Sequence, residues 1–333
     1  MPDNPPRSLR TVREINRPDI LFSVARVPNS QRLLVGGSAG RVFEVQADQP
    51  PSKARTLANH GRYVTAVRLA GDQVISGGYD GRLIWWNLDG ARVTRTVENA
   101  HASWIRHLEL SPDDTTLASV GDDMVCRLWD AATGERRLEL RGHDARTPQQ
   151  FTSMLYTCAF SADGHTLATA DRVGHVGIWE VPSGRSIASL EAPTFYTWDG
   201  VQRIRSIGGI RSLAFSPDGA HLAIGGVGRI GNVDGLEGPA RVEVHDWSRG
   251  QRLYEFTGPN GIINYLRWHP ENHWLCALGG GNSGIALVYD PVRRAMHFQG
   301  TVPTHVHDAA FSEDLTTLYA VGHRKCLVLE MRG

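Results

Sequence analysis

Residues 76–87 read Ser-Gly-Gly-Tyr-Asp-Gly-Arg-Leu-Ile-Trp-Trp-Asn, and 43 residues later 119–130 read Ser-Val-Gly-Asp-Asp-Met-Val-Cys-Arg-Leu-Trp-Asp. Each copy has small residues, then a Gly/Asp turn, then an apolar run that closes on an aromatic–Asx pair. Two strands joined by such a turn, recurring at a period in the forties, mark one sheet of a β-propeller.

The pattern extends outward in both directions. Ser111-Pro112-Asp113-Asp114 has counterparts in Ser161-Ala162-Asp163-Gly164, Ser216-Pro217-Asp218-Gly219 and Ser312-Glu313-Asp314-Leu315. Residues of these types bond their own backbone or supply positive φ. Alternating apolar pairs precede them, Leu108/Leu110, Cys158/Phe160, Leu213/Phe215 and Ala309/Phe311, with Leu266/Trp268 in the same phase. That period of two argues strand. The third strands end at Trp86-Asn87, Trp129-Asp130, Trp179-Glu180, His245-Asp246, Tyr289-Asp290 and Leu329-Glu330, with a degenerate Val45-Gln46 at the start. The sequence therefore predicts an all-β chain: a seven-bladed propeller of four-stranded antiparallel blades, one domain over 1–333. The blades fall near 17–55, 56–98, 99–140, 141–190, 191–256, 257–299 and 300–332. Arg10–Ile15, similar to the outer-strand segments at 95–99 and 136–140, is placed as the outer strand of the last blade, closing the circle.

These repeats resemble the WD-repeat β-propeller family over nearly the whole chain, most closely in the second and third. The resemblance implies a buried tetrad in each of those two, His60, Ser76, Asp80 and Trp86, then His101, Ser119, Asp123 and Trp129. Carboxylate, imidazole, hydroxyl and indole would form a relay, because buried polar groups persist only when paired. The fourth repeat keeps His143, Thr169 and Trp179 but has Val173 at the aspartate position, so it is expected to lack the full relay.

Lys+Arg and Asp+Glu each total 35, so no global field favours nucleic acid or acidic lipid. No apolar run approaches the roughly 20 residues of a spanning helix, and the N-terminal residues do not read as a signal peptide. A cytoplasmic protein without membrane contact is expected. Cys126, Cys158, Cys276 and Cys326 are widely separated and fall in predicted strands, which reads as four buried thiols. Gly36-Gly37-Ser38-Ala39-Gly40 fits a nucleophile elbow, but a strand follows where that motif needs a helix. Gly279–Gly284 lacks the Gly-Lys-Ser/Thr ending of a phosphate loop. His305 and His307 share one side of a strand with no third ligand in sequence. No catalytic residue, metal or cofactor is assigned.

Function is sought where the repeat is broken. Insertions occur around 144–153, 194–209 and 227–239, at positions that a propeller exposes on one face. The middle one carries Phe195, Tyr196, Trp198, Arg203 and Arg205, the composition of an interface hot spot; Arg172 and Arg229 add charge nearby. On the same face, the starts of the innermost strands place Tyr63, Trp104, Arg106, Tyr156 and Arg211 around the channel mouth. The resemblance implies that a peptide or protein docks there. The expected function is a non-catalytic scaffold that binds a partner protein or peptide, with membership of a larger complex left open. Two alternatives stand beside it: a propeller hydrolase or oxidoreductase with a site in the channel, and nucleic-acid binding through the arginine–aromatic patch.

Overall fold

The computed structural model describes residues 5–49, 54–90, 92–201, 205–231 and 238–333. Among them the regular structure is strand throughout, apart from one 3-10 turn at Pro193–Phe195. Five sheets are four-stranded, antiparallel and built from consecutive strands. Their innermost strands are Val64–Ala70, Ile105–Leu110, Leu155–Phe160, Ile210–Phe215 and Ile262–Trp268. The sixth sheet has six strands in the order Val306–Phe311, Thr317–Arg332, Ser8–Arg26, Arg32–Gly37, Arg41–Gln46 and Arg55–Asn59. A two-stranded hairpin, Tyr196–Asp199 with Arg205–Gly208, stands apart from these sheets.

This corrects the expected seven separate blades: six sheets of four or more strands are present. Two long strands are the reason. Ser8–Arg26 pairs through Ser8–Asn16 with Lys325–Arg332 and through Leu21–Arg26 with Leu33–Gly37. Thr317–Arg332 likewise pairs through its first half with Val306–Phe311. The first and last predicted units thus share one ladder. Its register breaks between Asn16 and Ile20, where Pro18 has no N–H to contribute.

The central strands are covered on both faces by neighbouring sheets, so they read as runs of small and apolar residues instead of alternating. Thr116–Gly121 and Leu275–Gly280 are buried along their whole length, whereas outer Arg92–Val97 is exposed at five of its six positions. Close approach explains the glycines in these runs. A Cβ on Gly36 would lie 2.8 Å from Val64 Cγ1, and one on Gly77 3.1 Å from Ile105 Cγ2. The innermost strands touch in the order Ser8–Arg26, Val64–Ala70, Ile105–Leu110, Leu155–Phe160, Ile210–Phe215, Ile262–Trp268 and Val306–Phe311, and the last touches the first.

The turns follow from their residues. Ser111 Oγ donates to Asp113 at 2.6 Å and accepts from the Thr116 N–H at 2.9 Å. The next position takes positive φ in every copy, at Asp114, Gly164, Gly219 and Leu315.

The polar relays are paired as follows. His60 Nδ1 lies 2.9 Å from Asp80, His60 Nε2 2.8 Å from Ser76 Oγ, and Trp86 Nε1 3.4 Å from that hydroxyl. For His101, Asp123, Ser119 and Trp129 the distances are 2.9, 2.7 and 2.8 Å. Burial pushes the His101 imidazole down, with Asp123 opposing it. The expectation for the fourth repeat is overturned. His143 Nδ1 is 3.0 Å from Asp171, His143 Nε2 2.8 Å from Thr169 Oγ1, and Trp179 Nε1 donates to that oxygen at 2.9 Å. A carboxylate two residues before Val173 completes the relay, and it also accepts the N–H groups of Val173 and His175 at 3.0 Å each. The fifth unit substitutes a buried ionic group: Glu243, 1% exposed, accepts from Arg241 Nε at 2.7 Å and lies 2.9 Å from His245 Nε2. Arg241 also pairs with Glu255.

Candidate binding face

The three insertions touch one another. The Tyr196 hydroxyl donates to Gln149 Oε1 at 2.6 Å, and the Phe151 and Trp198 rings are 5.3 Å apart. Arg172 donates to the Ser206 carbonyl at 2.9 Å and to that of Thr152 at 3.1 Å. The Ile230 N–H donates to Thr197 Oγ1 at 3.0 Å. These contacts tie 144–153, 194–209 and the described part of 227–239 into one cluster.

Within it the candidates separate. Phe195 is 0% exposed and packs with Ile210, Leu222 and Ile224, so as a contact residue it is corrected to a core anchor. The 3-10 turn directs it inward while the hairpin carries Tyr196 and Trp198 outward, both half-buried. Arg172 clasps backbone carbonyls of two insertions. Arg229 is exposed. Arg205 begins the returning strand of the hairpin, and Arg203 lies outside the described residues.

The channel mouth gathers Thr65, Arg106, Tyr156, Arg211, Asn264 and His307 around a cavity of 330 Å³, all from equivalent positions of six inner strands. Phe22 is the seventh contributor, hidden from sequence reading because its strand is fused into Ser8–Arg26. Tyr79, from the turn after a central strand, was missed for want of any repeat signature in a turn side chain.

The rings form a continuous circuit around this opening. Trp104 stacks on Tyr79 at 4.0 Å and 7°; Tyr79 meets Tyr63 at 5.3 Å, and Tyr63 meets Phe22 at 5.6 Å. Phe22 meets His307 edge-on at 5.4 Å. From the other end, the Arg106 guanidinium lies 5.0 Å from Trp104 and 5.7 Å from Tyr156, and Arg211 lies over Tyr156 at 3.6 Å. Tyr63 and Trp104 stand 44% and 41% exposed, an unusual cost for large aromatics unless something covers them.

Three imidazoles meet at one side. His305 and His307 are 4.6 Å apart, and His323 lies 5.2 and 5.0 Å from them. His323 is the third histidine that the sequence could not place. Burial, reinforced by the neighbouring imidazoles and, at His307, by Arg211, pushes His305 down to about 4 and His307 to about 3. Asn264 Nδ2 donates to His305 Nε2 at 2.8 Å. Among the described residues no three His, Cys, Asp or Glu are disposed to hold a metal ion. The four cysteines are free thiols, all buried. No helix among the described residues is long and apolar enough to cross a membrane.

Deeper in the channel, partly buried Arg68 binds Glu109 at 3.2 Å, His107 at 2.9 Å and Asp308 at 3.6 Å. Asp308 also accepts the Ser23 hydroxyl at 2.8 Å, linking two inner strands.

The sequence profile described as "WD domain, G-beta repeat" matches residues 51–87, 92–130 and 250–290. Nuclear distribution protein PAC1 of Arthroderma otae is 28% identical over 193 residues, 50% of this chain and 39% of that protein. Telomerase protein component 1 of Rattus norvegicus is 26% identical over 296 residues, 86% of this chain but 10% of that protein. WD repeat-containing protein 41 of Mus musculus is 40% identical over 96 residues, 27% of this chain and 19% of that protein. This chain thus corresponds to well under half the length of each of these relatives. In its matched repeats, buried relays and antiparallel four-stranded sheets the chain is similar to the WD-repeat β-propeller family.

Proposed function

We propose that the chain is a non-catalytic interaction module that captures a partner protein or peptide on the face formed by the channel mouth and the three joined insertions. The aromatic–guanidinium circuit carries this reading. Large rings held half in water, on side chains with few rotatable bonds, give contact area at low ordering cost. The named relatives serve settings as different as nuclear distribution and telomerase, so a shared scaffold transfers to this chain more readily than any one partner does. The pairing of Ser8–Asn16 with Lys325–Arg332 supports a propeller closed between its first and last strands and folded as a single domain; a cytoplasmic place of action belongs to the same reading. In that arrangement the six-stranded sheet supplies the strands of two blades.

Replacing Trp104 and Trp198 together with alanine is the test. Capture of a partner from the native source should be lost while the melting temperature moves by no more than about 2 °C, because neither ring is buried. Undiminished capture by this variant would place the binding surface elsewhere.

A further inference from the structure

We propose that the channel mouth seats a carboxylate of the bound segment against Arg211, with the adjoining residues of that segment lying along the Tyr63–Tyr79–Trp104 row; this rests on the reading of the mouth as a docking site and adds the chemistry of what docks.

Charge matching points to Arg211. Arg106 is held by Asp122 through two contacts of 2.7 Å, and Arg68 by Glu109 and Asp308. Arg211 lines the same cavity, yet among the described residues it has no carboxylate partner and donates only to the Gly208 carbonyl, at 3.2 Å. A guanidinium carries five N–H donors in one plane. Stacking on Tyr156 at 3.6 Å occupies a face of that plane and leaves its edge for a ligand. The ring also fixes the orientation, which lowers the ordering cost of a fork-like contact.

The surroundings admit a small anion, because Asp308, the carboxylate that also lines this cavity, is already engaged by Arg68 and the Ser23 hydroxyl. His307, beside Arg211, is held neutral, and its buried Nε2 has no hydrogen-bond partner. A carboxylate between Arg211 and His307 would satisfy both. The 330 Å³ cavity admits an acidic side chain or a chain end. One unpaired guanidinium suits a single negative charge, whereas a phosphate dianion calls for more than one. A nucleic-acid strand fits less well, because Tyr79 and Trp104 stack on each other at 4.0 Å, leaving no slot for a base between them, and a single unpaired guanidinium gives little hold on a phosphate backbone.

The test uses the full chain and three short capped peptides: one with an internal glutamate beside phenylalanine, its glutamine counterpart, and one ending in phenylalanine with a free carboxylate. Binding is read by NMR shifts of the His305 and His307 imidazoles. The glutamate peptide, the free-carboxylate peptide or both should give saturable shifts, and the glutamine peptide should bind at least about tenfold more weakly. Which of the two binds identifies a side chain or a chain terminus as the source. Arg211→Gln should abolish the difference, Arg211→Lys should keep part of it, and Arg249→Gln, in an exposed turn outside the insertions and the mouth, should leave it intact. Equal binding of glutamate and glutamine peptides at the mouth would overturn the carboxylate assignment while leaving the docking reading standing. Absence of binding by all three peptides would overturn it too, as would Arg211-dependent retention of a single-stranded oligonucleotide in preference to the peptides.

Discussion

Replacing Asp171 with alanine removes a carboxylate that is 1% exposed and accepts from three groups: His143 Nδ1, and the N–H groups of Val173 and His175, each at 3.0 Å. The His143 ring gains no water in exchange, since its side chain is equally buried. Leaving buried donors unpaired costs about 1–3 kcal/mol each, partly shared when they lie in one network. The substitution should therefore lower stability by about 3–5 kcal/mol. For a chain of this length 1 kcal/mol corresponds to about 1.5 °C, so the melting temperature should fall by roughly 4–8 °C, provided that unfolding is cooperative. Asp171→Asn should cost less, about 2 kcal/mol, because Oδ1 still accepts the two backbone N–H groups and only the His143 contact is reversed. Urea denaturation followed by tryptophan fluorescence measures both. Val173→Asp supplies the control: it puts the family's acidic residue next to one already in place and should destabilise by about 1 kcal/mol through like-charge proximity. If alanine at 171 shifts the midpoint by less than about 1 kcal/mol, or Val173→Asp is stabilising, Asp171 does not hold His143 and the repair of this relay is misread.

Other consequences can be measured with the same equipment. Phe195→Ala should cost about 3–5 kcal/mol whereas Trp198→Ala should cost under about 1, since the first ring is fully buried and the second is not; reversed costs would refute the placement of the hairpin. Ile15→Ala, in the strand that joins the two chain ends, should cost about 2–4 kcal/mol in urea, because Ile15 packs with Leu21, Tyr319 and Cys326. His305 and His307 are depressed to about 4 and 3, so the unfolded chain binds protons first as pH falls below about 6.5. Stability present above that pH should be lost on the way down to 4, at up to about 1.4 kcal/mol per pH unit for each imidazole. His307→Phe should make that decline shallower, and an unchanged slope would count against the depressed titration. Maleimide at pH 8 should leave the folded protein unlabelled, since burial pushes the Cys276 and Cys326 thiols up to about 12, and should modify all four cysteines once the chain is unfolded.

What could be read from the residues alone was whatever repeats. Tight Ser-Pro-Asp turns need particular side chains, and a central strand pressed between two sheets needs glycine at Gly36 and Gly77, so those positions announce themselves by recurrence. The same periodicity brought Arg106, Tyr156, Arg211 and Asn264 to one opening, because inner strands in equivalent register present equivalent residues. Periodicity also misleads. It looked for an aspartate at Val173 and overlooked Asp171, although a carboxylate on the adjoining strand end reaches the same imidazole nitrogen. It divided Ser8–Arg26 and Thr317–Arg332 at turns that the ladder runs through, and so hid Phe22 from the mouth. His323 and the Arg241–Glu243–His245 group were invisible for a related reason: each is assembled from contacts that the repeat pattern does not specify.

That division has a functional side. Residues under the repeat's constraint are occupied with pairing and packing, as Arg106 is with Asp122 and Asp80 with His60. A binding group must instead keep some capacity unspent, and such capacity costs stability unless the scaffold around it is stiff. Arg211 and the exposed rings of Tyr63 and Trp104 meet this condition at an opening lined by the inner strands. Their orientation is set by neighbouring rings: Tyr156 beneath Arg211 and Tyr79 beneath Trp104. A partner therefore meets a surface already arranged for it, and its specificity should rest on matching one unpaired charge and one row of rings. It follows that Tyr156→Ala, which leaves the Arg211 charge in place but removes its platform, should weaken carboxylate binding nearly as much as Arg211→Gln. If binding survives that change, the charge alone suffices and the ring's orienting role is refuted.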